Sequence, residues 1–246
     1  MPSKTLKKPS GTSSENLPNE RHQMTKPVAW SYSSLTAFET CPKRYYLTKI
    51  SKQVHEPQSE AMKWGNDVHK ALEHRLVKNA PLPETMQQFE AIAATVANKA
   101  KGKKLEAESK MALTASFKGT TWFAKDVWVR GITDFTIGTK DKVFIGDWKT
   151  GKPTPEAAQL KLTAAMTMHM KPYVNEVINA FVWLKTGTVT AEKFTRDDIP
   201  AIWQEFMPRV ARLEHAVEET KFPARPSGLC RAWCPVGKAL CDHCGT

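Results

Sequence analysis

The fold is decided by Val127-Trp-Val-Arg-Gly131-Ile-Thr-Asp134-Phe-Thr-Ile-Gly138, the turn Thr139-Lys-Asp-Lys142, and Val143-Phe-Ile-Gly146-Asp147-Trp148-Lys149. Residues 127–137 and 143–149 alternate in polarity and predict two β-strands. Asp147 and Lys149 lie two apart, so a strand points both to one face. A four-residue loop at Thr139–Lys142 pairs Gly138 with Val143. The same register sets Asp134 opposite Asp147, with Cβ atoms about 5 Å apart. Facing carboxylates repel unless a cation lies between them. A divalent metal answers that repulsion, and Lys149 adds an amine beside it. The combination points to phosphodiester hydrolysis. The residues alone leave open a plainer alternative, in which two strand-end carboxylates lie beside a solvated edge lysine.

Outward from this hairpin, the chain reads as helices, strands, a helix, more strands and a helix. Ser33 is the expected cap of a short helix carrying Leu35 and Phe38 that stops before Pro42. Trp64, Val68, Leu72 and Leu76 repeat every fourth position and predict a helix over 58–78. A stripe from Met86 through Phe89, Ile92, Ala93 and Val96 to Ala100 predicts another over 84–100. Lys99, Lys101, Lys103 and Lys104 read as a basic loop. Strands are expected at 111–118 and 121–137, a helix at 156–170, and a second hairpin of 177–185 with 188–195. A last helix is expected at 198–220, with Pro208 as a kink. This order predicts an α/β fold with a small mixed sheet flanked by helices.

The 246 residues are 41% hydrophobic, enough for a substantial core. Lys and Arg outnumber Asp and Glu by 36 to 25, and the net charge of +11 favours a polyanionic partner. Residues 1–27 read as a disordered basic tail. No apolar run suits a membrane span and no secretory leader is visible, so a cytoplasmic protein with reduced cysteines is expected. The chain carries no G-x-x-x-x-G-K-[ST] loop.

The series Gly65-Asn-Asp-Val-His69, Gly131-Ile-Thr-Asp134, Asp147-Trp-Lys149-Thr-Gly151 and Gln159-Leu160 resembles the RecB-type nucleases of the PD-(D/E)XK superfamily. So does Tyr32-Ser-Ser-Leu-Thr-Ala-Phe-Glu-Thr-Cys41-Pro-Lys-Arg-Tyr45, notably in the phage exonucleases and CRISPR-adaptation nucleases of that family. The resemblance spans roughly residues 30–244 and implies a restriction-endonuclease-like core over 28–225. It implies that Asp134, Asp147, His69 and the Trp148 carbonyl bind Mg²⁺ or Mn²⁺. Lys149 would orient the attacking water or neutralise phosphoryl charge, and Gln159 would position Lys149 or a phosphate. His69 also fits a helix-surface histidine bonded to Glu73, one turn on. Where the family usually has a tyrosine four residues after the glutamine, this chain has Thr163. Arg44 and Tyr45 are implied near the DNA path, or as braces of the first helix.

Cys230, Cys234, Cys241 and Cys244 crowd the last 17 residues, within a Cys-rich tail over 226–246 that is expected to bind a metal or cluster and to pack with the Cys41 region. Resemblance to the iron–sulfur branch implies a [4Fe–4S] cluster on Cys41, Cys230, Cys234 and Cys241. Cys244 is a substitute or a spare. A zinc knuckle built from the tail, with His243 if needed, is the rival.

The implied activity is a Mg²⁺- or Mn²⁺-dependent DNA exonuclease working on single-stranded ends in phage or bacterial replication, recombination or repair. Any helicase or recombination protein would act in trans. The alternatives are a DNA-binding or assembly subunit with little turnover, and a structure-specific endonuclease.

Overall fold

A computed structural model describes residues 29–154 and 157–245 of the chain. The expected disordered tail lies outside the described residues. The first helix, α1 (Tyr32–Thr40), is capped by Ser31 rather than Ser33. Ser31 is extended, and its hydroxyl accepts from Ser34 N at 3.2 Å, while Ser31 N donates to Ser34 Oγ at 2.7 Å. This reciprocal pair satisfies two end groups at once, which a cap at Ser33 would not. The helix ends before Pro42, as expected, but helical turns resume at once in α2 (Pro42–Tyr45) and Tyr46–Ile50.

The two amphipathic helices fall where their stripes predict. These are α3 (Glu60–Lys78), then α4 (Glu90–Ala100) after a 3₁₀ turn at Glu84–Phe89. Asn79 ends α3 in the left-handed conformation, φ 52°.

Five strands follow: β1 (Lys104–Thr114), β2 (Val127–Gly138), β3 (Lys142–Lys149), β4 (Glu176–Trp183) and β5 (Thr188–Thr195). They form one sheet in the order β1-β2-β3-β4-β5. Only β3 and β4 run parallel, joined through α5 (Ala158–Met170), and the other pairs are antiparallel. The last helix, α6 (Ile199–Glu218), runs on through Pro208.

Two strand boundaries differ from expectation. β1 begins at Lys104, inside the segment expected as a basic loop, and residues 115–126 are connecting chain rather than strand. β1 is an edge strand, where charged side chains stay solvated and the alternating apolar signal weakens. Phe117 turns the chain back with φ 60°.

The sheet separates two cores. Leu35, Trp128, Val129, Ile145, Leu160, Met166, Val177 and Phe206 are buried on the side of α1, α5 and α6. Val68, Leu72, Val96, Phe135, Ile137, Trp148 and Val182 are buried with α3 and α4.

Candidate active site

The site lies where β2 and β3 part. Gly138 pairs with Val143, as the hairpin predicts, and the ladder runs back to Phe135 opposite Gly146. One step further, Asp134 stands level with Asp147, but no backbone pair joins them. The Asp134 carboxylate fills the place of the next rung instead, its Oδ2 accepting from Trp148 N at 2.6 Å. On the far edge of β2 the β1 ladder also skips this level, passing from Ala107↔Phe135 to Ser109↔Thr133. The skipped partner, Glu108, has φ 49°, a left-handed conformation rare for a residue with a Cβ. An unbroken pleat sends residues 105 and 111 to the same face. Here Leu105 packs with the α3/α4 core and Met111 with the opposite one. The pleat therefore resets at the level of Asp134, and the alternation read across 127–137 does not persist through it.

Three elements bring further side chains to this fork. His69, on α3, has Nδ1 3.0 Å from Asp134 Oδ1. At Gly65, one turn earlier, a Cβ would meet only Thr150 Oγ1, at 3.4 Å. Lys149 Nζ lies 2.5 Å from Asp147 Oδ2 and 4.6 Å from the centre of the Phe181 ring. Gln159, in the first turn of α5, accepts from Lys149 Nζ at 3.1 Å and donates to Asp147 Oδ1 at 2.9 Å. Buried Asn179 of β4 fixes α5 on the sheet, donating to Leu160 O at 2.7 Å and Thr163 Oγ1 at 2.5 Å.

The charges are strongly coupled. Burial, and then the negative charge of Asp134, push the Asp147 carboxyl above the usual range, while Lys149 and His69 pull the other way. Burial also disfavours a charged His69, but its bond to Asp134 and the charges of Asp134 and Asp147 outweigh that and raise its pKa. Asp147 Oδ2 is fully buried and has the Lys149 contact but no well-directed hydrogen bond. Two acids, an imidazole and an under-satisfied buried carboxylate oxygen form a donor set suited to a hard divalent cation. Among the described residues, no group of three or more His, Cys, Asp or Glu is already drawn together as a metal cage. In this arrangement the Lys149 amine is the cation set against Asp147.

The profile of the PD-(D/E)XK nuclease superfamily matches residues 29–242. The chain belongs to that superfamily. Its members generally use divalent metals such as Mg²⁺. The nuclease shares its fold with a solved Eubacterium rectale structure named "Putative exonuclease". That chain is 13% identical, with TM-score 0.51, over 91% of this chain and 93% of that one. A second solved structure, SSO0001, is 14% identical over 85% of this chain and 83% of that one, with TM-score 0.40. No curated protein matches the chain.

Thus Asp134, Asp147, Lys149, Gln159 and His69 of the nuclease converge, with Trp148 contributing backbone. The alternative bond of His69 to Glu73 gives way to Asp134. Tyr45 is 3% exposed, packs edge-on against Phe38, and burial raises its pKa. Arg44 and Lys49 share Glu56, both at 2.8 Å. They line, with α1 hydroxyls, a cavity of about 540 Å³.

In the tail, Cys241 and Cys244 are buried with Leu47 and Val236, and Cys234 packs against them. Burial and hydrogen bonding with Cys234 and Cys241 push the Cys244 thiol up to about 12. Cys41 Sγ accepts from Arg225 N at 3.5 Å, and Cys230 Sγ from Ser227 N at 3.4 Å. The tightest thiol group therefore includes Cys244, which the sequence left as a substitute or a spare.

Proposed function

We propose that the protein is a Mg²⁺- or Mn²⁺-dependent deoxyribonuclease that degrades DNA from single-stranded ends. The observation carrying this reading is the convergence of Asp134, Asp147, Lys149 and Gln159 at the β2–β3 fork. His69, Asp134, Asp147 and the Trp148 carbonyl would hold the metal. Such an ion lowers the pKa of bound water and polarises the scissile phosphate. Lys149, kept in place by Asp147 and Gln159, offers a cation to the charge that builds on the phosphoryl oxygens. Arg44 is proposed as a DNA contact, with Tyr45 bracing α2 beneath it. The Eubacterium rectale name supports exonuclease action, and the +11 charge supports a nucleic-acid substrate. A role in replication, recombination or repair, with unwinding supplied by another protein, suits this activity.

End-labelled linear DNA and covalently closed circles, incubated with Mn²⁺ or Mg²⁺, test the reading. Linear DNA should be degraded and circles spared. Asp147→Ala should lose at least a thousandfold in rate, and EDTA should abolish turnover. Equal degradation by native protein and Asp147→Ala would refute the site, and cleavage of circles would refute the exonuclease assignment.

We also propose that the cysteines hold a structural metal group, either [4Fe–4S] through Cys41, Cys230, Cys234 and Cys241 or zinc. The crowding of Cys244 with Cys234 and Cys241 supports a thiolate site, because a bound cation would offset the burial and the neighbouring sulfurs that raise the Cys244 thiol. Freshly purified protein should show a broad absorption band near 400 nm for the cluster. A colourless, zinc-containing sample selects zinc, and a metal-free sample rejects both.

A further inference from the structure

Beside the fork lies a groove of about 380 Å³ that the proposed chemistry does not use. One wall is the N-terminal turn of α1, with Ser31, Ser33 and Ser34. Another is Arg130 and Ile132 of β2, and the third is Trp122 from the loop between β1 and β2. Gln159 also lines the groove, so the groove borders the residue whose side chain bonds Asp147 and Lys149.

The chemistry of these walls is mixed in a particular way. Arg130 Nε donates to Trp122 O at 3.0 Å and its guanidinium lies 5.5 Å from the Trp122 ring centre, with Lys110 Nζ at 5.7 Å. Next to Trp122, Phe123 is 85% exposed, the most exposed of the large apolar side chains described. Ile132 is 43% exposed on the same side chain row as Arg130. Leaving these surfaces in water has a cost, and among the described residues nothing covers Phe123. In the groove Arg130, the Trp122 ring and the positive end of a nine-residue helix meet, with Lys110 against the same ring and Phe123 next to Trp122 in the chain. A phosphate with an unpaired base attached matches all three, whereas a peptide has no use for so many cations around aromatic faces.

We propose that this groove is a nucleotide subsite for single-stranded nucleic acid. A base stacks on the Trp122–Phe123 loop and its phosphate is held between Arg130 and the first turn of α1. Its continuity with Gln159 places the bound nucleotide next to the scissile phosphate. The proposal rests on the nuclease reading and deepens it, since a stacked base selects strands whose bases are free. A duplex end keeps its bases paired and gains only the phosphate contact.

Binding of fluorescein-labelled dT₁₂ and of a 12-base-pair blunt duplex, measured by anisotropy in EDTA with the full chain, tests this without turnover. Phe123→Ala removes a solvent-exposed ring and should fold as the native protein does. It should weaken dT₁₂ binding about tenfold and duplex binding by less than twofold, and Phe123→Trp should restore dT₁₂ affinity. Arg130→Gln should weaken both ligands and lower the salt slope by about 1. Trp122→Ala, with thermal melting as its folding control, should match Phe123→Ala. Unchanged dT₁₂ affinity in Phe123→Ala and folded Trp122→Ala overturns the subsite, as do equal losses on single strand and duplex in these two aromatic variants. The nuclease reading is judged separately, by the cleavage assay with Asp147→Ala. The subsite can therefore fail while that reading stands, and the reverse.

Discussion

Gln159 shows how one neutral side chain can order a charged site. Its amide faces both ways, taking the Lys149 amine on its oxygen and giving its NH₂ to Asp147. Gln159→Ala leaves a buried carboxylate oxygen without its donor and Lys149 without one of its two tethers. Initial rates at saturating DNA should fall at least tenfold, and Gln159→Glu, which adds a third carboxylate, should fall further. A second residue carries a pH signature away from the site. His169 Nε2 accepts from Trp203 Nε1 at 3.0 Å, and its ring stacks on Phe117. Burial, and then the charge of Arg196, lower its pKa from the ordinary 6.5. As pH falls the unfolded chain binds this proton first, so the stabilisation is whole above about 6.5 and is lost below it. His169→Gln keeps an acceptor for Trp203 but does not titrate. The melting temperature of this variant should fall less than that of the native protein between pH 7.5 and 5.5, and parallel curves would rule the histidine out. The acidic pair and Lys149 were legible in the sequence because strand spacing alone joins them. The bond of His69 to Asp134 spans 65 positions and was reachable only through the resemblance. The Cys244 grouping and Trp122 gave no periodic signal at all.

At the scale of elements, the hairpin register was readable because a four-residue turn fixes it, and the helices because their stripes are regular. The reset of the pleat was not readable, since Glu108 in a charged edge strand looks like any solvated residue. Its left-handed backbone costs roughly 1 kcal/mol, which glycine largely avoids. Glu108→Gly should therefore raise stability by about 0.5–1 kcal/mol in urea denaturation, and a destabilised variant would show that the side chain itself holds the bend. Gly146 poses the opposite case. A Cβ there would lie 2.0 Å from Phe135 Cζ, because that ring lies across the strand. Phe135 also packs on Trp148, 4.6 Å between ring centres, so moving it aside breaks that contact. Gly146→Ala should cost about 1–3 kcal/mol through overpacking, and it sits next to Asp147, so cleavage should fall with stability. Gly146→Ala combined with Phe135→Leu should recover part of both.

Across the whole molecule, the sheet divides the core in two, yet the site needs α3 from one side and α5 from the other held at fixed separation. The sheet supplies that spacing, and a tie between α1 and α6 closes that side around it. Glu39 of α1 takes two hydrogen bonds from Arg209 of α6, at 2.8 and 2.7 Å, and lies 3.5 Å from Arg212. Arg225, on the way to the cysteine tail, donates to the Glu39 carbonyl. Fork geometry gives such a pair direction as well as charge, and both partners are mostly buried, so it is worth more than a surface ion pair. Arg209 and Arg212 also repel one another if the carboxylate between them is removed. Glu39→Ala should thus cost about 2 kcal/mol in urea denaturation, and Glu39→Gln somewhat less, because its carbonyl still accepts one arginine bond. High salt should shrink the difference between Glu39→Gln and native, as screening replaces the lost charge. A loss below about 0.5 kcal/mol for Glu39→Ala would make the tie an ordinary surface pair. Apolar contacts such as that of Tyr32 with Phe206 would then carry more of the joining of α1 to α6.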